Sequence, residues 1–234
     1  MRTRGRTLAL LLSLVAPAAL SAQDDAATTD SALPVVAVID FNAFSLSLQD
    51  ASAVGKGVAG MLITELSDRQ GMQVVERQEI NSVIQEAKLA LSGRVDESTA
   101  MEVGRLVGAR YLITGVLGIE QTQVRMDVRI FEVETSEILE AMKFTGKPDD
   151  FLQLVVDVAD AFSRDLKLPT PERHLIASIP VQAVIAYSRG EAYEQEGKLD
   201  EAREQYGKAI ELAKDYKAAR QGLDRVNAAI GADQ

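Results

Sequence analysis

The chain has no cysteine and no tryptophan, one histidine, and only 5% aromatic residues in 234. Without thiols there is no disulfide, no thiolate metal site and no cysteine nucleophile. The acylated cysteine that anchors a bacterial lipoprotein is missing as well. His174 stands alone in a proline-bearing stretch, with no second imidazole to share a metal, and reads as a solvated or packed side chain. Basic residues are also scarce: 25 Lys and Arg face 35 Asp and Glu, a net charge of -10. With no basic run to offset that field, nucleic acid and anionic lipid are unfavourable partners. Neither G-x-S-x-G nor G-x-x-x-x-G-K-[ST] occurs. The longest apolar run, Leu8 to Leu20, is about 13 residues, short of the roughly 20 that cross a bilayer as a helix, so no integral membrane span is expected.

What is present divides the chain into five stretches. Residues 1–22 read as a signal peptide: Arg2, Arg4 and Arg6 precede the apolar run, and Leu20-Ser21-Ala22 ends in small residues. Residues 23–33 are polar, acidic and aperiodic, as a disordered leader is. Residues 34–167 alternate strand and helix patterns, 168–180 form a proline-rich linker, and 181–234 are helical throughout. Val35 to Phe41 reads as a buried strand, Asn42 to Ala53 as a loop, and a helix begins near Val54 with Val58, Met61, Leu62 and Leu66 inward. Met72 to Glu76 is a short strand, followed by a helix carrying Ile80, Val83, Ile84, Ala87 and Leu91 and ending at Ser92-Gly93. A second helix, capped by Asp96 or Thr99, carries Ala100, Val103, Gly104 and Val107 and closes at Gly108. Tyr111 to Leu117 reads as a strand buried on both faces. Val124, Met126, Val128 and Ile130 alternate with Arg125, Asp127, Arg129 and Phe131, an antiparallel strand with one wetter face. Its partner is Ile138 to Thr145. Pro148 and Asp149 then open a helix with Phe151, Leu154, Val155, Val158 and Phe162 inward. The pattern predicts an α/β fold with a mixed sheet flanked by helices.

The segment from Met72 to Val116 contains V-V-E-R-Q, L-S-G, D-E-S-T-A and G-A-R-Y-L-I-T-G. This series resembles the CsgG-like family of curli production assembly and transport proteins, with weaker similarity from about Val35 to Gly146. The resemblance implies a cell-envelope α/β domain that works through protein assembly. Channel-forming members insert long alternating segments into this domain to build a transmembrane barrel. Here Leu117 to Gln121 joins two strands directly and Glu134 to Glu137 closes the later hairpin, so neither position has room for such an insertion.

The final stretch resembles a tetratricopeptide repeat. Gly190, Tyr193, Gly197, Leu199, Ala202, Tyr206, Ala209 and Leu212 hold the spacing of that motif, in which small residues let two helices approach and the tyrosines fill the gap. Tyr216 to Ile230 would be a capping helix with Ala219, Leu223, Val226 and Ile230 inward. One repeat cannot bury its own flank, which must be covered by the α/β domain, a second copy or a client.

Gly55, Gly57 and Gly60 match G-x-G-x-x-G, with Glu76 at the end of the next strand, and raise a nucleotide-binding reading. The glycines do not follow the first strand in a tight turn, so close helix-to-sheet packing is the preferred reading and no cofactor or metal is expected. Asp149-Asp150 reads as a helix cap. The partner-contact candidates are Phe44 in its loop, Glu76 and Arg77 at a strand-to-helix junction, and Tyr193 and Tyr206. Glu76 and Arg77 fit a structural ion pair or a subunit contact. The functional expectation is a non-enzymatic periplasmic assembly or accessory protein of the cell envelope, touching other envelope proteins or its own copies and peripheral to the outer membrane. The alternatives are a subunit of an outer-membrane export pore whose spanning part comes from partners, and a nucleotide-binding enzyme.

Overall fold

A computed structural model describes residues 33–45, 51–87, 96–169 and 179–232. The first strands are β1 (Val35–Val38) and β2 (Asn42–Ser45), followed by α1 (Ala51–Ser67), β3 (Gln73–Val74), α2 (Arg77–Glu86) and α3 (Glu97–Leu106). Then come β4 (Tyr111–Ile119), β5 (Val124–Glu132), β6 (Glu137–Gly146) and, after a 3-10 turn at Pro148–Asp150, α4 (Phe151–Asp165). Three more helices follow, α5 (Val181–Gln195), α6 (Leu199–Leu212) and α7 (Lys217–Ala232). The stretch expected to be a signal peptide, residues 23–32 of the expected leader, Leu91 to Gly93 and most of the expected linker with His174 lie outside the described residues.

The six strands form one mixed sheet in the order β3-β1-β4-β5-β6, with β2 also pairing with β4. The β1–β3, β1–β4 and β2–β4 pairs are parallel; β4, β5 and β6 form an antiparallel meander. β2 corrects the sequence reading, which left Asn42 to Ala53 as a loop and began the helix three residues later than Ala51. Val38 pairs with Ile113 and Asn42 with Val116, so four steps along the first strand match three along β4. One extra residue within Ile39–Phe41 therefore makes a bulge that separates β1 from β2 and reverses which side chains face inward.

α1 and α4 cover one face of the sheet, where Val36, Val38, Phe41, Ile113, Leu117, Met126 and Val128 meet Val58, Met61, Phe151 and Phe162. On the opposite face α2 and α3 cover Ala37, Ile39, Leu112, Phe131 and Val133. Phe131 is 3% exposed, although strict alternation assigned it to the wetter face. It does lie on the face that Arg129 shares, and the cover of α3 accounts for its burial. Asp96 is the cap of α3, its carboxylate accepting from Thr99 N–H at 2.8 Å.

α1 is buried nearly all round. From Ala51 to Thr64 its only charge is Lys56, the composition of a helix with neighbours on more than one side. On the sheet side, a Cβ at Gly55 would lie 2.0 Å from the carbonyl oxygen of Phe41. On the other side α5 packs so closely that a Cβ at Gly57 would lie 2.0 Å from Ser188 Oγ and one at Gly60 2.3 Å from the Tyr187 hydroxyl. α5 and α6 form the hairpin and α7 packs behind it. The flank is thus covered by α1 of the same chain, with Tyr216 donating to Met61 Sδ and Thr64 to Gln221 across the seam. Asp149 takes part in this seam. Its carboxylate accepts from Val181 N–H at 2.9 Å and so satisfies an open donor of α5.

Candidate interaction surface

Helices α2 and α3 cover only part of their face of the sheet. Beyond them the register sets Asn42, Val116, Asp127 and Lys143 in one row, and Phe44, Gly118, Arg125 and Thr145 in the next. These side chains share the uncovered face, since Ala43, Leu117, Met126 and Phe144 contribute to the core on the other. A shallow hollow of ≈ 460 Å³ on this face is lined by Asn42, Thr114, Val116, Asp127, Arg129 and Lys143.

Phe44 is 63% exposed, its ring lying over Gly118, where a side chain would meet it at 3.1 Å. The bulge presents it there. Around it the charges are paired: Arg125 donates to Asp127 at 2.8 Å and Arg129 bridges to Glu97. The hydrogen bond to Asp127, then its charge, holds the Arg125 guanidinium above its ordinary pKa. The hydrogen bond from Ser98, followed by those from Thr99, lowers the Asp96 carboxyl at the rim. Mixed charge around an exposed aromatic ring provides the components of a polar, desolvatable protein contact.

The other sequence candidates fall elsewhere. Glu76 is exposed, but Arg77 is buried and turns away from it toward Asp40, with Glu191 of α5 at 4.0 Å. The expected Glu76–Arg77 pair is therefore replaced by a link from the bulge through α2 to the C-terminal helices. Burial disfavours the Arg77 charge, yet Asp40 and Glu191 outweigh it and raise its pKa. Tyr206 is fully buried, so it cannot meet a partner as assigned. Its ring sits where side chains at Gly190 or Gly222 would collide with it, at 2.7 and 2.6 Å. Its hydroxyl lies 2.8 Å from Glu191 and 2.5 Å from Glu194, and Arg225 binds both carboxylates. Burial, then Glu191, raises the Tyr206 pKa; burial works against the Arg225 charge, but Glu194 and Glu191 prevail. Tyr193 is half-buried, with the Lys198 ammonium 5.7 Å from its ring centre.

Sequence reasoning missed this ionic seam of Asp40, Arg77, Glu191 and Arg225. Its signal was Glu191 itself, an acid on the stripe that Ala183, Val184 and Tyr187 mark as apolar. The seam also borders a cleft of ≈ 290 Å³ reaching Gly60 and Thr64. Gly55, Gly57 and Gly60 lie inside α1 with their open sides filled by Phe41, Ser188 and Tyr187, a packing series with no room for a pyrophosphate. Among the described residues, no cluster of three or more His, Asp or Glu is placed to hold a metal.

Residues 19–121 match the family model described as "Curli production assembly/transport component CsgG". No curated protein matches the chain. Among solved structures, the LpoB C-terminal domain from Salmonella enterica aligns at 20% identity and TM-score 0.42, covering 50% of this chain and 84% of that one. The PelC dodecamer from Paraburkholderia phytofirmans aligns at 16% and 0.38, covering 58% and 89%. Lipoprotein GNA1162 from Neisseria meningitidis aligns at 10% and 0.37, covering 48% and 79%. The matched stretch, residues 19–121, which runs from the segment before β1 through β4, is what the chain has in common with the CsgG family.

Proposed function

We propose that the protein is a non-enzymatic assembly or accessory component of the bacterial cell envelope, exported to the periplasm and acting by protein–protein contact. The family match supports the envelope setting, and the open half of the sheet supports the mode of action. The observation that carries the reading is Phe44: a bulge places a large ring beside Arg125, Asp127 and Lys143 on a part of the sheet that no described helix covers. Exposed aromatic anchors inside a polar rim are where binding energy concentrates.

The test is crosslinking in intact cells, comparing the native chain with Phe44→Glu. Loss of a specific adduct in the variant supports the surface; an unchanged adduct rejects it. Fractionation addresses the pore reading. No described helix is long and apolar enough to cross a membrane, and the β4–β5 and β5–β6 connections are short turns. Release by osmotic shock fits an accessory protein, whereas a requirement for detergent fits a pore subunit.

A further inference from the structure

We propose that β6 is a self-complementary edge, and that two copies of this chain join by antiparallel β6–β6 pairing about a two-fold axis near Ala141 and Met142. The inference rests on the strand and not on the envelope role.

β6 is the last strand of the sheet, and no other described strand pairs with its outer side. Its free hydrogen-bonding groups can be assigned. Glu120 N–H donates to Gln123 and Val133 N–H to Arg110, which fixes the odd-numbered residues of β5 as those bonded to β4. The even-numbered ones, Met126 and Val128, therefore bond to Phe144 and Met142 of β6. Ala141, Lys143 and Thr145 are left with N–H and C=O directed outward. An edge of this kind is a template for another strand.

The occupant follows from charge order. Glu134, Glu137 and Glu140 mark the beginning of the strand, Lys143 and Lys147 its end. Antiparallel pairing with an identical strand sets the acidic end of each copy beside the basic end of the other. Parallel pairing would set like beside like. The axis is restricted in the same way: centring on Glu140 opposes two glutamates and centring on Lys143 opposes two lysines. Between them lie Ala141 and Met142. With Met142 on the axis, Ala141 and Lys143 of opposite copies exchange hydrogen bonds, and Lys147 approaches Glu137 of the partner. Ile138 and Leu139, 50% and 46% exposed, gain cover beside the partner's strand end. A two-fold contact of this kind is isologous and closes at a dimer.

Sedimentation equilibrium on the purified chain gives the first readout, a monomer–dimer equilibrium that weakens with salt. Ala141→Pro removes an outward N–H while sparing the β5 bonds, and should raise the dimer dissociation constant at least tenfold with circular dichroism unchanged. Glu137→Lys and Lys147→Glu should each weaken the dimer, and their combination should restore it. That recovery separates a broken contact from a damaged fold. Because the chain has no cysteine, a single one at Met142 or Ala141 should form a disulfide between copies under mild oxidation, whereas Thr145→Cys should not. A chain that stays monomeric at every accessible concentration overturns the proposal. So does a dimer indifferent to Ala141→Pro, or one that crosslinks only through Thr145→Cys.

Discussion

Gly57 of α1 lies directly beneath Ser188 of α5, so close that a Cβ on the glycine would stand 2.0 Å from the serine hydroxyl and 2.9 Å from its Cα. Because the obstacle includes backbone, trimming Ser188 to alanine leaves the clash in place. Gly57→Leu should push α5 off α1 and destabilise the fold by about 1–3 kcal/mol or more, the range for overpacked cores. Urea denaturation measures it. An unchanged midpoint would show that the helices do not dock through this groove.

Tyr206 tests the helical module from inside. Replacing it with alanine empties the space held between Gly190 and Gly222 and should cost about 3–5 kcal/mol. Tyr206→Phe keeps the ring and removes only the hydroxyl between Glu191 and Glu194, so its cost should be smaller, about 1–3 kcal/mol. Equal losses would mean that the ring contributes little. Thermal melts of the two variants side by side give the comparison.

Arg225 neutralises Glu191, which is 2% exposed, and Glu194. Arg225→Ala leaves those carboxylates without their nearest cation and should cost about 3–5 kcal/mol. Adding Glu191→Gln should recover part of the loss, a non-additive pair that a double-mutant cycle reads directly. Strict additivity would remove the case for a coupled seam.

Glu65 gives the pH prediction. Burial is the largest influence on it and raises its pKa above 4.5 despite the hydrogen bond from Arg69 at 3.1 Å. The folded chain therefore holds this proton more tightly than the unfolded one, and the group's stabilising contribution is present below the unfolded pKa and lost as pH rises through the folded value. Glu65→Gln should stabilise the protein at pH 7 relative to the native chain, with the advantage fading as pH falls toward 4.5. Denaturant midpoints at the two pH values check the sign.

On the open face, Phe44→Glu and Val116→Arg should change stability by no more than about 0.5 kcal/mol, the usual range for exposed positions. Both should nevertheless reduce partner capture. A large loss of stability would instead place Phe44 among the residues that hold β2 to β4.

Much of the sheet and its helices was legible because buried strands and amphipathic helices carry the period of their own structure. Val124 to Ile130 shows this for β5, and Phe151 to Phe162 for α4. β2 was not legible. Its four residues are too few to show a period, and it is a strand only because β4 continues past the bulge beside it. The docking of α5 on α1 was half legible: the glycines announced a close approach, read as helix against sheet, which describes Gly55, whereas Gly57 and Gly60 meet α5. Arg77 was found at its junction and given the wrong partner, since Asp40 and Glu191 are 37 and 114 positions away and no local pattern joins them. Tyr206 matched its motif as a space-filling residue, and that same burial removes it from any surface.

The extra residue within Ile39–Phe41 acts as a phase shift on everything after it. If the strand ran past this point with its length unchanged and no bulge, β2 would slip by one residue against β4, turning Phe44 toward α1 and Ala43 toward solvent. The sheet could keep its hydrogen-bond ladder and lose its aromatic outpost, so this one kink decides what the molecule shows to the outside.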